Sequence, residues 1–239
     1  MKYEKKPAPA LSMGRARVEN NLTYADLGGE KELAYPKLLL HSCCGPCSTA
    51  VIERLMNEYE VTVFFYNPNI TDRDEYVKRR HAQLSVIDRF NEMTECTNKI
   101  GFMEGRYEPD AFYEKVKGFE NEPEGGKRCG LCFSMRLEET ALTARMNGFD
   151  TFTTTLTVSP HKDYETISRI GNMLAVKYGV GYLDGNFKKK DGFKRSIELS
   201  KQFGIYRHIA DASFPYGINE RKGEELCQNC LYPRIIPRL

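Results

Sequence analysis

Leu38-Leu39-Leu40-His41-Ser42-Cys43-Cys44-Gly45-Pro46-Cys47 is the stretch that decides the fold. Three leucines run into a turn, three cysteines fall within five positions, and Val51, Ile52, Leu55 and Met56 then recur at helical spacing. A short apolar run closed by a turn reads as a buried strand, and the periodicity behind it reads as a helix. That helix is expected over 48–59, with Ser48 or Thr49 as its cap. Thiolates at the carboxyl end of a buried strand, with a helix opening behind them, form a soft-ligand pocket. Such a pocket suits zinc, an iron–sulfur cluster or redox thiols.

The alternation continues outward from this stretch. Val61 to Tyr66 is β-branched and aromatic, a second strand closed by Asn67-Pro68-Asn69. A long charged helix is expected over 72–90, a weaker strand over 100–103 and a helix over 109–116. Gly125-Gly126 marks a loop that delivers Cys129, ahead of a helix over 132–146. Phe152 to Leu156 reads as a strand, 164–178 as a helix, 180–183 as a short strand and 193–203 as the last helix. Strands alternating with helices of ten or more residues imply an α/β fold, a parallel sheet with helices on both faces. Ligands of such sheets bind at the carboxyl ends of the strands. The cysteine stretch, Tyr66-Asn67-Pro68 and Thr157-Val158-Ser159-Pro160 all follow strand ends and are expected to converge on that edge.

Length and composition bound the rest. The 239 residues suffice for one good-sized core, and 41% hydrophobic with 28% charged residues are ordinary globular values. The division expected is a loosely ordered extension over 1–35, a catalytic α/β domain over 36–207 and a tail over 208–239 with a cysteine pair. No window approaches the roughly 18 consecutive apolar residues that span a bilayer, and the N-terminus lacks a secretory apolar centre. The chain reads as cytoplasmic, with no membrane partner, where eight cysteines serve as metal ligands or redox thiols rather than a disulfide frame. A net charge of +2 makes no strong field, so nucleic-acid binding needs a local patch. Lys188-Lys189-Lys190 with Lys194-Arg195 supplies one, and it also fits a solvated loop.

Cys44-x-x-Cys47 and Cys129-x-x-Cys132 give four thiolates in two pairs, which suits structural zinc. The wide separation of the pairs and the surplus Cys43 fit an iron–sulfur site better, and a dithiol remains a third reading. Cys96 has no partner at ligand spacing and reads as packed or inert. His41 reads as a satisfied core histidine behind the thiols. His161 lies on a loop at the active edge, where Asp163 is placed to cap a helix and His161 itself to donate a proton or touch substrate. Tyr66 either closes its strand or donates a proton or stacks on a base.

The order of several segments carries a resemblance. They are His41-Ser42-Cys43-Cys44-Gly45-Pro46-Cys47, Phe64-Phe65-Tyr66-Asn67-Pro68-Asn69-Ile70, Glu75-Tyr76-x-x-Arg79-Arg80, Arg128-Cys129-x-x-Cys132 and Arg136-Leu137-Glu138-x-Thr140-Ala141. Phe152 to Leu156 with Ser159-Pro160, and Leu199-Ser200-Lys201-x-x-Gly204-Ile205-Tyr206-Arg207, complete the string. From Lys37 to Arg207 the chain resembles the cobalamin-independent epoxyqueuosine reductases of the QueH type.

The resemblance implies a single-domain, nucleotide-hydrolase-like (Rossmann-like) fold and the last step of queuosine synthesis, reduction of epoxyqueuosine in tRNA. It implies a [4Fe–4S] cluster with an additional iron close by, an external low-potential electron donor and a tRNA bearing a queuosine-type anticodon. Cys43, Cys44, Cys47, Cys129 and Cys132 are then the expected metal ligands and Tyr66 and His161 the candidate proton donors. Asn67, Asn69, Arg79, Arg80 and Ser159 would touch substrate, and Lys188, Lys189, Lys190 and Arg195 the RNA phosphates. The chain departs from the family pattern after Arg207, where His208-Ile209-Ala210-Asp211 stands in place of a Cys-Gly-Cys segment. Cys227 and Cys230 are expected to fold back in its stead, the alternatives being a separate metal, none, or an incomplete set. Two rival functions are a tRNA-thiolating enzyme of the same fold, whose glycine- and serine-rich phosphate loop is replaced here by the cysteines, and a zinc-binding RNA module.

Overall fold

The computed structural model describes residues 35–93 and 98–205, together with the backbone of 226–227 and 232–233. Its first strand, β1 (Lys37–His41), buries Leu38, Leu39 and Leu40 completely, so both faces of the strand are covered. Helix α1 follows at Gly45–Leu55 and β2 at Glu60–Phe65, paired parallel to β1 with Leu39 opposite Thr62. Next come α2 (Arg73–Glu92), β3 (Gly101–Glu104), α3 (Pro109–Val116) and α4 (Lys127–Met146). Strand β4 (Thr151–Thr154), α5 (Tyr164–Tyr178), β5 (Gly181–Tyr182) and α6 (Gly192–Gln202) complete the alternation. Far along the chain, β6 (Leu226–Cys227) and β7 (Tyr232–Pro233) form a short antiparallel ladder.

The five parallel strands lie in the order β3-β2-β1-β4-β5. Alternation along the strands divides the core in two. Leu38, Leu40, Val61 and Val63 point to α1, α2 and the flanks of α6, while Leu39, Phe64 and Phe152 point to α4 and α5. The result is the expected three-layer, Rossmann-like arrangement. The chain winds from β1 toward β3 on one side and resumes with β4 on the other, so the topological switch lies between β1 and β4. Sheets of this type open a crevice at that point, outside the carboxyl ends of the strands.

Several boundaries differ from the sequence reading. Helix α1 begins at Gly45 rather than Ser48, and neither Ser48 nor Thr49 caps it. Pro46 sits in the first turn, where its fixed φ suits a helix start. The Ser48 and Thr49 hydroxyls instead turn back onto the carbonyls of Gly45 (2.7 Å) and Pro46 (2.8 Å). Helix α4 begins at Lys127, so Cys129 stands in its opening turns rather than on a loop. Strand β4 stops at Thr154 because that hydroxyl accepts the Leu156 N–H (3.1 Å) and turns residues 155–158 into a 3-10 helix. Residues 1–34, Cys96 and the segment around Cys230 lie outside the described residues. Among the described residues, no helix is long and apolar enough to cross a membrane.

Candidate functional site

The loop that leaves β1 is held by buried hydrogen bonds. The Ser42 hydroxyl donates to Gln83 Oε1 (2.7 Å) and lies 3.2 Å from the Cys44 carbonyl, while Gln83 Nε2 donates to the Ser48 hydroxyl (3.0 Å). Asn67 Nδ2 donates to the Ser42 carbonyl (2.9 Å), tying the end of β2 to the same loop. Gly45 lies so close to α2 that a Cβ there would meet the Ala82 carbonyl oxygen at 2.6 Å. The three cysteines are therefore presented by a fixed backbone.

Their thiols are buried next to one another, and each shifts its neighbour's ionisation. Cys44, together with burial, raises the Cys43 thiol well above its ordinary value. For Cys44 the Cys43 neighbour pulls down, but Cys47 and burial outweigh that and push it up to about 12. Cys47 is lowered by Cys44 despite burial. Arg79, Arg136 and Lys162 surround the trio, each favouring thiolate at one or two of the sulfurs. Arg79 is fixed there by Glu75 (2.6 Å).

Cys129, from the opening turns of α4, joins the same buried cluster, which also holds Tyr66 and Phe133. Its sulfur accepts the Gly125 N–H at 3.3 Å. Cys132 stands further along α4, packed against Phe112 and Val116. All five are thiols. As arranged here, and among the described residues, no three cysteine, histidine or carboxylate side chains form a ready metal-ligand group.

The donor set nevertheless suits the cluster that the sequence implies. It consists of soft thiols under cationic side chains. Two of its contributors open helices, α1 and α4, that carry neither a side-chain cap nor an acidic residue in the first turn. Such helix starts favour thiolates and other anions.

His41 crosses the switch point. Its Nδ1 lies 2.9 Å from Thr154 Oγ1 and its Nε2 3.2 Å from the Tyr66 carbonyl. A carbonyl only accepts, so Nε2 carries the proton and Nδ1 accepts from the threonine hydroxyl. Burial, reinforced by Arg136 and Lys162, holds the ring's pKa well below its ordinary value and keeps it neutral. The histidine is a satisfied core residue, as expected, that ties three strands together at the edge.

The edge also carries buried polar atoms with no hydrogen-bond partner among the described residues: Asn67 Oδ1, Asn69 Oδ1 and Thr155 Oγ1. Burial raises the Tyr66 phenol to about 12, so it stays protonated. Beside Cys129 a cavity of about 250 Å³ is lined by Phe133, Arg136, His161 and Lys162 among others. The His161 N–H donates to Ser159 Oγ (3.3 Å), and Asp163 caps α5 by accepting from the Thr166 N–H (2.9 Å).

Other candidates are placed elsewhere or already engaged. Arg80 pairs with Glu104 (2.6 Å), and Arg195 with Glu53 (2.6 and 2.9 Å) and Glu198 (3.4 Å). Lys188 Nζ donates to the Lys162 carbonyl (3.3 Å), while Lys189 and Lys190 have exposed side chains and carbonyls bound by Arg54. Cys230, and the side chain of Cys227, lie outside the described residues. Sequence reasoning missed Gln83, Lys162 and the site role of Arg136. A lone glutamine on a charged helix gives no local signal, and the two cations reach the thiols only through the packing of α4 and the α5 entry.

Comparison with known proteins gives the family. The family model described as "Epoxyqueuosine reductase QueH" matches residues 38–209. The chain is 42% identical over 178 residues to the epoxyqueuosine reductase QueH of Streptococcus pyogenes serotype M1, covering 74% of this chain and 69% of that protein. It is 41% identical to the protein of that name from Staphylococcus epidermidis, with 74% and 75% covered. The Thermotoga maritima protein of that name is 36% identical, with 71% and 84% covered. The chain thus belongs to the epoxyqueuosine reductase QueH family, a family of oxidoreductases.

Proposed function

We propose that the chain reduces epoxyqueuosine to queuosine in tRNA, in the cytoplasm, using electrons from an external low-potential donor. The observation that carries this reading is the convergence of Cys43, Cys44, Cys47 and Cys129 with Tyr66 at the carboxyl edge, in a member of this family. Those thiols, with Cys132 one turn further on, would hold a [4Fe–4S] cluster. When bound, the cluster supplies electrons one at a time.

The reaction breaks both carbon–oxygen bonds of the epoxide, forms a carbon–carbon double bond and consumes two electrons and two protons, with water as the by-product. The chain's own residues supply the rest. Tyr66 keeps its phenolic proton at physiological pH and lies against the thiols, and His161 faces the adjoining cavity. These two groups are assigned as the donors of the two protons. Asn67, Asn69 and Thr155 offer buried acceptors that a nucleoside's hydroxyl and amino groups would satisfy. The target base lies in an anticodon loop, single-stranded and available to be splayed into the edge.

The test uses tRNA carrying epoxyqueuosine, isolated from cells that lack the reductase. Anaerobically reconstituted protein with a low-potential reductant is expected to convert it to queuosine, read by mass spectrometry of the nucleosides. Iron and sulfide should accompany the activity. Stoichiometric zinc without iron, and no conversion, would instead mark a zinc-binding RNA module.

A further inference from the structure

The cavity beside Cys129 is rich in positive charge. Four cationic side chains line it, Lys127, Arg136, Lys162 and Arg169, against the carboxylates of Glu124 and Asp163. Asp163 is occupied in capping α5. Arg136 is 2% exposed, a buried guanidinium at the wall of a solvent-connected space. Among the described residues, Lys127, Lys162 and Arg169 take part in no salt bridge. Cations gathered around a concave, partly desolvated space focus a positive potential into it, so an anionic ligand completes a cavity of this kind. Its volume, about 250 Å³, admits one phosphodiester with part of a nucleoside.

We infer that this cavity seats a backbone phosphate of the RNA substrate, gripped by Lys127, Lys162 and Arg169 over the buried Arg136. The assignment rests on the reading of the chain as a tRNA-modifying enzyme. It moves the main phosphate contact away from the basic run at 188–195. There Arg195 is saturated by two glutamates, and Lys188 leans on the Lys162 carbonyl beside the cavity. Cys129 lines the same cavity, so a phosphate held there sets the distance from the backbone to the thiol-bearing edge.

The test is binding of a labelled anticodon stem-loop to the full chain, purified anaerobically, over a series of salt concentrations. In the double variant Lys127→Gln, Arg169→Gln, the slope of log affinity against log salt should become shallower by up to about 0.7, the value for one single-stranded phosphate contact. Affinity near physiological salt should fall roughly fourfold, on the order of one lost phosphate contact, while iron content stays at the wild-type level. An unchanged slope overturns the inference, and a flattened slope on neutralising Lys188, Lys189 and Lys190 would then place the contact on that loop. Joint loss of iron and RNA affinity also overturns it, assigning these cations to the thiol centre. If the wild-type chain shows no salt-dependent binding of the stem-loop, the tRNA reading itself fails.

Discussion

Gln83 of α2 accepts the Ser42 hydroxyl at 2.7 Å and donates to the Ser48 hydroxyl at 3.0 Å, so one amide bridges both ends of the cysteine loop. All three side chains are completely buried. The loop's shape thus depends on a residue more than thirty positions away, on the buried face of a separate helix.

Replacing Gln83 with Leu removes two buried hydrogen bonds while each hydroxyl keeps a backbone carbonyl, at a cost of about 0.5–1.5 kcal/mol each. A loss of about 1–3 kcal/mol is expected in urea denaturation, with faster alkylation of Cys43, Cys44 and Cys47. A variant with the wild-type midpoint and wild-type alkylation rates would show that the loop is held by something else.

Gly45→Ala should act through sterics. The added methyl would lie 2.6 Å from the Ala82 carbonyl oxygen, a backbone atom that cannot swing aside. Overpacking of this kind costs about 1–3 kcal/mol, and the start of α1 must shift to relieve it. Thermal unfolding measures the cost, and iron retained after reconstitution reports on the displaced cysteines. A Gly45→Ala variant as stable as the wild type, with full iron, would contradict the close approach of α1 and α2.

Tyr182→Phe should stabilise the protein. The Tyr182 hydroxyl is buried with no hydrogen-bond partner among the described residues, while its ring packs against Gly171 and Phe152. Removing the oxygen keeps the ring and relieves desolvation worth about 1 kcal/mol. Burial also raises the phenol's pKa in the folded state, with Asp184 adding to the effect. The unfolded chain therefore ionises first, and stability falls as pH rises above the ordinary tyrosine value near 10. Denaturation midpoints from pH 8 upward should fall less in the variant, and parallel curves would refute the assignment.

Cys44→Ala and Cys129→Ala should each abolish stoichiometric iron after anaerobic reconstitution while leaving a folded protein, checked by circular dichroism. A Cys227→Ala, Cys230→Ala double variant asks whether the tail takes part. Iron and turnover should fall if the pair folds back to the edge, and unchanged values would separate the tail from the site.

The wholly buried leucines of β1, the β-branched run of β2 and the helical periodicity between them made the parallel three-layer fold legible. Each pattern is local, and each is a consequence of being buried on one or both faces. The family was legible too, because its motifs follow one another in sequence order. Element ends were less so. The start of α1 turned on Pro46 fitting the first helical turn, and the end of β4 on the Thr154 hydroxyl bending the chain.

By itself the sequence determined the strand–helix alternation, and with it the edge on which the cysteine loop, Tyr66 and the Ser159 loop had to gather. Only the tertiary structure decided what surrounds the thiols there. It brought Gln83 beneath the loop, gathered Arg79, Arg136 and Lys162 around the thiols, and turned Arg195 toward Glu53. These are contacts between residues far apart in the chain, set by how helices pack across the sheet. A charged side chain reads the same in sequence whether it meets a carboxylate, a thiol or water. The difference lies in the packing partner, which no local pattern encodes.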